Sequence, residues 1–452
     1  MDQDISQLRQ ALETQRLSVV ELANELLERI ARIDPGVNAY VYLDRDDLLA
    51  QAQELDRELA GGRARGPLHG VPIGIKDLID VRRQPTRAGS SFFRRDPAQD
   101  APIVARLRAA GALITGKLNT HEFAWGITTD NPHFGRTANP WDRTRIPGGS
   151  SGGSGAAIAA GLAVAAMGSD TLGSVRIPSA YCGLSGIRPS LGSVPMDGIF
   201  PLSPSMDVAG PLARSVADAA LILAVMRGAK VRAPAASASQ VRIARLRGTP
   251  WDDVEPEVTA AADAAINVLR EQGVKVSELQ WSCSQQLADA TTTQQRGEAA
   301  AIHAPLFAAH AAGYGTDVRG RVEAALALAP EALAAARPVI ARERAAFLDA
   351  LHDVDAVIVP CLPFEAPLAG SETVHVRGQS MDMRAAVLPF MIPASAFGFP
   401  ALALPCGFSA AGLPLSAQLF TRPESEHMMI AAGIAIQSAS DWHLRRATTL
   451  PA

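Results

Sequence analysis

Two short stretches rich in glycine and serine are the parts of this sequence best suited to catalysis. Residues 147–155 read Pro-Gly-Gly-Ser-Ser-Gly-Gly-Ser-Gly, and residues 168–178 form a second cluster that contains Ser169, Thr171 and Ser174. Glycine permits backbone conformations that other residues avoid and lets segments approach closely, so hydroxyl groups can be held inside a protein. A flexible linker is the alternative interpretation of 147–155, but linkers rarely lie between a tryptophan-containing loop and an alanine-rich helix.

A lysine upstream of both clusters is a candidate base. Lys76 lies in the apolar, glycine-punctuated stretch 71–77, which is too short for a helix. Burial in such surroundings disfavours the ammonium form and lowers the pKa of a lysine. Lys76 is therefore predicted to accept a proton at neutral pH.

Three other motifs are incomplete, and they lead us to expect neither a metal nor a cofactor. Residues 111–118 have the spacing of a phosphate-binding loop, but a leucine stands where a magnesium-binding hydroxyl is needed. His121 and Glu122 begin an HExxH zinc motif, but Trp125 occupies the position of its second histidine. Residues 148–152 match the GxSxG nucleophile elbow, but the prolines and charges before them exclude the central strand that this elbow requires.

Composition places the chain among globular proteins of the cytoplasm. Hydrophobic residues make up 48% and charged residues 19%, which excludes a disordered protein. The net charge of −4 shows no basic excess, so no nucleic-acid partner is expected. Four scattered cysteines without a CxxC pair fit a reducing compartment, and the polar residues 1–9 lack the apolar core of a signal peptide. The longest apolar run, 156–167, is too short to cross a bilayer, so no membrane association is expected.

The segments between these residues alternate between helical and strand-like patterns. A capping box at Ser18 and Glu21 predicts the start of a helix. Repeated alternation implies an α/β sheet with helices on both faces, and the alanine-rich stretch 285–350 predicts helices that form a cap. Further helices are expected at 44–59, 101–110, 120–125, 155–160, 216–226 and 256–271, and strands at 38–43, 113–117, 162–167, 241–246, 274–279, 354–359 and 401–404.

Three sequence blocks, in this order, resemble the amidase signature family. They are Gly74-Ile75-Lys76-Asp77, the Gly-Gly-Ser-Ser-Gly-Gly block at 148–153, and Asp170 followed by Gly173-Ser174-Val175-Arg176-Ile177-Pro178. Residues 131–141 and 400–419 resemble the family's approach to the second block and its C-terminal strands, so the resemblance covers about residues 5–435.

The resemblance implies a fold and a domain organisation. The fold class is α/β, with a single large mixed twisted β-sheet, helices on both faces and a helical cap-like region. One domain would span 1–452, with an N-terminal helical region at 1–62 and a catalytic core at 63–250. A helical insertion at 285–350 and the C-terminal part of the core sheet at 351–435 would complete it.

The resemblance also implies a Ser–cis-Ser–Lys triad. Ser174 would be the nucleophile, Ser150 the bridging serine with a cis peptide bond before it, and Lys76 the base. A serine hydroxyl is a weak nucleophile unless a base activates it, so these groups must meet. The N–H groups of four residues would form the oxyanion hole: Thr171, Leu172, Gly173 and Ser174.

Other residues receive supporting roles from the same resemblance. Ser151, Asp170 and Arg176 would hold the catalytic loops. The segment Trp125, Gly126 and Ile127 would line the acyl pocket, with a plain core role for the tryptophan as the alternative. Two departures from the family pattern are Leu172, in place of a glycine, and the segment 393–398. Apolar side chains near the site favour aryl or aliphatic acyl groups: Leu172, Phe390, Met391, Phe397 and Phe399.

The leading functional hypothesis is a serine hydrolase that forms a covalent acyl-enzyme on Ser174. It would cleave the acyl C–N bond of a small apolar or aryl amide or carbamate (urethane), or the acyl C–O bond of an ester. Alternatives are an amidotransferase subunit of the A type that works on misacylated tRNA, a urea-derivative hydrolase of the allophanate or carboxybiuret type, and a catalytically inactive scaffold subunit. The expected assembly is a monomer or homodimer.

Overall fold

The structure is a computed structural model that describes residues 4–229 and 238–447. The predicted domain limits at 1 and 452, and the polar start of the chain at 1–3, lie outside these described residues. Helices and strands alternate along most of the chain, as the sequence pattern predicts. The α-helices are α1 (Ile5–Glu13), α2 (Val19–Ile33), α3 (Arg45–Ala60), α4 (Pro102–Ala109), α5 (Gly152–Ala159), α6 (Arg176–Tyr181), α7 (Val216–Arg227), α8 (Pro256–Glu271), α9 (Gln285–His310), α10 (Thr316–Leu326), α11 (Pro330–Ala350), α12 (Met383–Ala396) and α13 (Glu426–Ser438).

The strands build one large sheet and one small hairpin within the described residues. They are β1 (Tyr40–Tyr42), β2 (Pro72–Lys76), β3 (Leu113–Leu118), β4 (Ala165–Asp170), β5 (Ser185–Arg188), β6 (Val208–Ala213), β7 (Arg242–Arg247), β8 (Lys275–Gln280), β9 (Ala356–Pro360), β10 (Thr373–Val376), β11 (Gln379–Asp382), β12 (Ala401–Phe408) and β13 (Pro414–Thr421). Eleven strands follow the order β1-β3-β2-β4-β6-β5-β12-β13-β9-β7-β8, and β10 pairs with β11.

The large sheet is mixed, which confirms the predicted fold class. Strand β2 is parallel to its neighbours β3 and β4, and β7 is parallel to β8 and β9. The pairs around β6, β5, β12 and β13 are antiparallel. Because the carboxyl ends of parallel strands meet at one edge of a sheet, the end of β2 and the end of β4 lie side by side.

The capping box predicted at the start of α2 is present. Ser18 Oγ accepts a hydrogen bond from Glu21 N at 3.1 Å, and Glu21 Oε2 accepts one from Ser18 N at 2.8 Å. Leu22, Leu26 and Ile30 are buried on one face of the helix. Local capping and an apolar stripe at helical spacing thus give this helix its start and its packing face.

Two elements near the glycine-rich stretches differ from their predicted limits. Helix α5 begins at Gly152 rather than at 155, because the glycines allow it to press against a neighbouring backbone. A Cβ on Gly153 would lie only 2.4 Å from Asn119 O. Strand β4 begins at Ala165, later than predicted, and continues to Asp170 because its backbone pairs with β6 over its whole length. The polar residues at its end therefore lie on the sheet.

The alanine-rich stretch 285–350 forms three helices, α9, α10 and α11. Its description as a cap stays a prediction. In the described part of the chain, no single helix has the length and apolar character needed to cross a membrane; one sharply bent pair, Thr316–Leu326 with Pro330–Ala350, meets those two criteria only when taken together.

Candidate active site

The end of strand β2 brings Lys76 to the edge of the sheet. The side chain is completely buried, and its Nζ donates hydrogen bonds to Ser150 Oγ at 2.7 Å and to Ser169 Oγ at 2.9 Å. Ser169 lies on β4, the parallel neighbour of β2. The lysine thus contacts one serine from each of the two glycine- and serine-rich stretches.

Burial makes Lys76 a much weaker base than a free lysine. It lowers the pKa of the amine from 10.5 to about 7, although the negative charges of Asp170 and Asp207 oppose this shift. The free energy lost when the ammonium group is removed from water exceeds the stabilisation that the two carboxylates provide. A large fraction of Lys76 is therefore neutral near pH 7, as the sequence context predicted.

The loop that carries Ser150 is fixed through its backbone. The Gly149–Ser150 peptide bond is cis. The carbonyl of Ser150 accepts hydrogen bonds from His121 N, from Thr120 Oγ1 and from Thr129 Oγ1, at 3.1, 3.0 and 3.2 Å. A side chain on Gly149 would meet the backbone of Ile127 at 2.8 Å, so the two segments are in close contact. These contacts hold the Ser150 hydroxyl against Lys76.

Ser151 joins the two serine-rich stretches directly. Its backbone N–H donates to Ser174 O at 3.3 Å, and its Oγ donates to Ser169 O at 3.3 Å. Ser174 is about 5% exposed, and its Oγ makes no hydrogen bond within the described residues. Hydrogen bonds between catalytic groups often tighten only when substrate binds. The structure thus brings Ser150 and Ser174 into one site and leaves the Ser174 hydroxyl uncommitted.

One of the four predicted oxyanion donors already has a partner. The N–H of Gly173 donates to Asp170 Oδ1 at 2.9 Å. Thr171 is held through its side chain, because Thr171 Oγ1 donates to Asp207 Oδ1 at 2.6 Å. The N–H groups of Thr171, Leu172 and Ser174 have no acceptor within the described residues. The candidate oxyanion hole is therefore narrowed to these three, and the leucine that departs from the family pattern supplies one of them.

A buried network of charged side chains holds this loop in place. Asp170 Oδ2 accepts from Arg176 Nε at 3.0 Å, and its Oδ1 accepts from Arg188 Nη1 at 3.1 Å. Burial alone would raise the pKa of Asp170, but the two arginines outweigh it and hold that pKa well below its usual range. Asp170 is therefore an ionised carboxylate that binds two arginines; the supporting role of Asp170 and Arg176 in catalysis stays a prediction.

Arg176 also ties the loop to helix α12 and strand β13. Its guanidinium donates to Ser395 Oγ at 2.7 Å and to Gln418 Oε1 at 2.6 Å. Gly173 has φ +94°, and a Cβ there would lie 2.5 Å from the side chain of Met391 on α12. Only glycine fits this position without displacing the methionine.

An aromatic cluster lies around Trp125. The cluster comprises Phe92, Phe93, Phe123, Trp125, Phe200, His303 and Tyr314, with ring centroids 4.8 to 6.0 Å apart. Trp125 is buried, and its indole stacks on His303 of α9 at 5.7 Å. Trp125 is thus packed as a core residue of this cluster. Its role in lining an acyl pocket stays a prediction.

Several apolar residues expected near the site lie elsewhere. Phe397 and Phe399 pack against Phe347 of α11 in a separate cluster. The ring of Phe390 contacts Trp251 and lines a cavity of about 620 Å³. Of the side chains expected from α12 and the residues after it, Met391 is the one that reaches the catalytic loop, since neighbouring residues on a helix point in different directions.

A cavity of about 570 Å³ opens beside the segment that contacts the Ser150 loop. Ile127 and Thr128 line it together with charged side chains of both signs, among them Asp317, Arg321 and Arg384. Four carboxylates and two arginines line the cavity, so acidic side chains outnumber basic ones there. Over the described residues, no group of three or more histidine, cysteine, aspartate or glutamate side chains is arranged to hold a metal ion.

Several residues that contact the candidate site were not predicted from the sequence. Ser169 binds Lys76, Asp207 binds Thr171, and Arg188 binds Asp170. Ser169 had a detectable signal, because it directly precedes Asp170 in the second serine-rich stretch. Asp207 and Arg188 had none, because they lie on segments that only the sheet topology brings to the site.

Comparisons with known proteins agree with this geometry. The sequence profile of the family described as Amidase matches residues 21–430. The A-type subunit of the glutamyl-tRNA(Gln) amidotransferase from Roseiflexus castenholzii is 36% identical over 98% of this chain and 96% of its own. The putative amidase AmiD of Mycobacterium bovis is 35% identical, over 98% and 95%. A crystal structure of an amidase superposes with a TM-score of 0.91 at 34% identity, covering 96% of this chain and 99% of the other. The chain therefore belongs to the amidase signature family.

Proposed function

We propose that this protein is an amidase that hydrolyses the acyl C–N bond of small amides through an acyl-enzyme on Ser174. The observation that carries the proposal is the buried Lys76 amine, with a pKa lowered to about 7, in hydrogen-bond contact with Ser150 Oγ at 2.7 Å. A lysine that is partly neutral at pH 7 can take a proton from a serine hydroxyl, and an ordinary lysine cannot.

The proposed reaction begins when Ser174 Oγ attacks the carbonyl carbon of the substrate. Its proton passes to Ser150, whose own proton passes to neutral Lys76. The carbonyl oxygen becomes an oxyanion that the N–H groups of Thr171, Leu172 and Ser174 stabilise; each such donor contributes about 3–4 kcal/mol.

The C–N bond then breaks, and the proton held by Lys76 returns through Ser150 to the leaving amine. Water then attacks the carbonyl carbon of the Ser174 ester, and its proton passes through Ser150 to Lys76. As the bond to Ser174 Oγ breaks, that proton returns through Ser150 to Ser174 Oγ. This second step releases the acid and restores the free hydroxyl of Ser174. Over the whole cycle one amide and one water molecule are converted into a carboxylic acid and an amine.

The test is labelling and substitution of the proposed nucleophile. A fluorophosphonate probe should label Ser174 in the wild type and leave the Ser174→Ala protein unlabelled. Ser154→Ala is a matched control, since its hydroxyl is also buried but only donates to Met167 O. If Ser174→Ala turned over amides as fast as the wild type, the proposal would be wrong.

For the substrate we propose a small molecule with an apolar or aryl acyl group. The aromatic cluster around Trp125 supports this choice, and the reaction extends to carbamates and esters because the attacked carbonyl is the same. A panel of acetanilide-type anilides, primary amides, carbamates and esters measures the preference. Activity confined to carboxylate-bearing ureas such as allophanate would favour the urea-derivative alternative.

The second candidate is an amidotransferase role, favoured by the 36% identity to the A-type subunit from Roseiflexus castenholzii. That role requires partner subunits. We propose instead that this chain is active without them. The purified protein, as a monomer or homodimer and without nucleic acid, should hydrolyse a simple amide. Turnover that appears only after addition of partner subunits would favour the amidotransferase, and a folded protein without any labelling would favour an inactive scaffold.

We propose a cytoplasmic setting for this activity. The four cysteines are free and buried: Cys182, Cys283, Cys361 and Cys406. Unpaired thiols of this kind are typical of reducing compartments.

A further inference from the structure

His303 has a nitrogen atom that the fold leaves without a partner. The side chain lies on α9 and is completely buried, yet no hydrogen bond within the described residues reaches its Nε2. Buried polar atoms in proteins almost always have a partner, so an exception calls for a specific explanation.

The surroundings of His303 are otherwise apolar and aromatic. Phe123, Trp125 and Phe200 contact the imidazole ring, with centroid distances of 4.9, 5.7 and 5.9 Å. Among residues 4–229 and 238–447, its hydrogen-bond contact is between His303 Nδ1 and the hydroxyl of Tyr314 at 2.9 Å. Burial lowers the pKa of His303 to about 4, so the ring is neutral at physiological pH.

The neighbours of His303 come from two segments, one that contacts the Ser150 loop and one that contacts the Asp207–Thr171 pair. Phe123 and Trp125 follow His121, whose N–H donates to the carbonyl of Ser150. Phe200 precedes Ser203, whose N–H donates to Asp207 Oδ2 at 2.9 Å, and Asp207 in turn holds Thr171. The imidazole therefore lies between the Ser150 loop and the segment that positions the candidate oxyanion hole.

The contact with Tyr314 decides which nitrogen carries the proton. A phenol is a good donor and an imidazole nitrogen a good acceptor, and burial raises the pKa of Tyr314, so its hydroxyl stays protonated. When Tyr314 donates to Nδ1, the single proton of the neutral ring lies on Nε2. The unpartnered atom is then an N–H donor.

We propose that His303 is a specificity-determining residue whose Nε2–H binds a hydrogen-bond acceptor in the acyl part of the substrate. The inference rests on the proposed amidase function and sharpens its substrate class. The substrate is a flat, uncharged amide whose acyl group packs against aromatic rings and carries one acceptor atom, such as a ring nitrogen or a second carbonyl oxygen.

The experiment compares benzanilide with its three pyridine analogues, in which one ring CH of the acyl group is replaced by nitrogen. These four amides have nearly the same shape and differ in the acceptor that they offer. We expect the wild type to favour at least one pyridine isomer over benzanilide by about tenfold in kcat/KM, the contribution of one hydrogen bond.

His303→Phe keeps an aromatic ring and removes the donor. It should abolish the preference among the four amides, because kcat/KM for the favoured pyridine isomer falls about tenfold further than kcat/KM for benzanilide. His303→Gln keeps an N–H donor and should retain part of the preference, and Tyr314→Phe should weaken it because the proton is no longer fixed on Nε2. His310→Gln is the matched control, since this histidine lies on the same helix but is exposed and stacks on Phe92.

Binding of the four amides to Ser174→Ala protein, measured by calorimetry, gives a second readout that does not need turnover. The same preference should appear there and disappear with His303→Phe. If the wild type cleaved all four amides equally, or if His303→Phe kept the preference, the role of His303 would be refuted and the amidase proposal would stand. If no amide showed turnover that depends on Ser174, both would fall.

Discussion

Two buried lysines in this protein have different partners, and we assign them different roles for that reason. Lys76 donates hydrogen bonds to two serine hydroxyl groups, and burial lowers its pKa to about 7. Lys117, on the neighbouring strand β3, forms an ion pair with Asp77 at 3.2 Å and donates to Thr86 Oγ1 at 2.9 Å. A buried lysine with hydroxyl partners can lose its proton for chemistry, whereas one paired with a carboxylate neutralises a charge that the fold must accommodate.

Substitution of each lysine by methionine should separate these roles. Lys76→Met should lower kcat by about 10²–10⁴, the usual contribution of a general base, and leave the free energy of unfolding nearly unchanged. Lys117→Met should leave Asp77 buried and unpaired and lower the free energy of unfolding by about 3–5 kcal/mol. Steady-state kinetics and urea denaturation measure the two effects. Equal losses of activity and stability in both variants would contradict the assignment.

The pH dependence of the wild type follows from the same pKa. The proposed base works in its unprotonated form, and protonation of Lys76 below a pKa of about 7 removes it. We therefore expect kcat/KM to be highest above pH 7 and to fall by about tenfold per unit at lower pH. A profile on a neutral anilide checks this, because the substrate itself does not titrate. A flat profile down to about pH 5 would exclude Lys76 as the base.

At this scale the sequence singles out the proposed reacting groups and gives no indication of most of their partners. Lys76, Ser150 and Ser174 lie in short blocks whose residue types already indicate their chemistry. Asp207 and His303 lie in stretches without such a pattern, and only the folded chain brings them to Thr171 and Trp125. Contacts between segments far apart in sequence leave no local signal.

Among the elements, the turn between β4 and α6 depends on Asp170. This carboxylate accepts from two arginines and from the N–H groups of Gly173 and Val175. Asp170→Asn would leave Arg176 and Arg188 with an uncompensated buried charge. We expect the free energy of unfolding to fall by about 3–5 kcal/mol, together with most of the activity.

Asp142→Asn is the matched control for that prediction. Asp142 also pairs with an arginine, Arg145, but its side chain is about 37% exposed. Exposed ion pairs contribute about 0–1 kcal/mol, so this variant should be nearly as stable as the wild type. Chemical denaturation compares the three proteins. An Asp170→Asn protein as stable as the control would contradict the structural role of the network.

The same turn makes a glycine at position 173 necessary for two independent reasons. Its φ of +94° is strained for other residues, and a Cβ would collide with Met391 on α12. Gly173→Ala should therefore lower kcat strongly. Adding Met391→Ala removes the collision but not the strain, so the double variant should recover part of the activity. Recovery to the wild-type rate would show that backbone conformation has no role.

Element boundaries show where sequence patterns fail. The sequence predicted strand β4 as 162–167, because the apolar run ends at Met167 and is followed by Gly168, Ser169 and Asp170. In the structure these residues are on the strand, since pairing with β6 satisfies their backbone and their side chains serve the site. Functional residues at a strand end break the apolar pattern on which such predictions depend.

For the whole molecule, the sheet order could not be derived from pattern alone. The resemblance to a known family implied one large mixed sheet, and the structure confirms it. Neither the crossing from β5 to β12 nor the pairing of β9 between β13 and β7 has a signature in the sequence. The division of the domain at 62, 250, 285 and 350 stays a prediction.

A carboxyl group that joins the N-terminal helix to the core gives a prediction for overall stability. Asp218 on α7 accepts a hydrogen bond from Ile5 N on α1 at 3.3 Å, and burial raises its pKa from 3.8 to about 6. A raised pKa means that the folded state favours the protonated form. The contribution of this protonated carboxyl group to the free energy of unfolding is complete below about pH 4. It is lost as the pH rises through about 6.

Asp218→Asn should therefore stabilise the protein at pH 7.5 and have little effect at pH 3.5. The upper limit of the gain is about 3 kcal/mol, from a shift of about two pKa units. Thermal or urea unfolding at both pH values measures it. A variant less stable than the wild type at pH 7.5 would show that the ionised carboxylate stabilises the folded protein.

The placement of the site along the chain also bears on how such proteins diversify. Lys76, Ser150 and Ser174 lie within one short portion of the sequence, whereas His303 belongs to α9, far beyond it. Under the proposed roles, a substitution on α9 would change which acyl group is bound and leave the proposed Ser–Ser–Lys groups in place. Substrate preference and bond cleavage would then be separable by mutation.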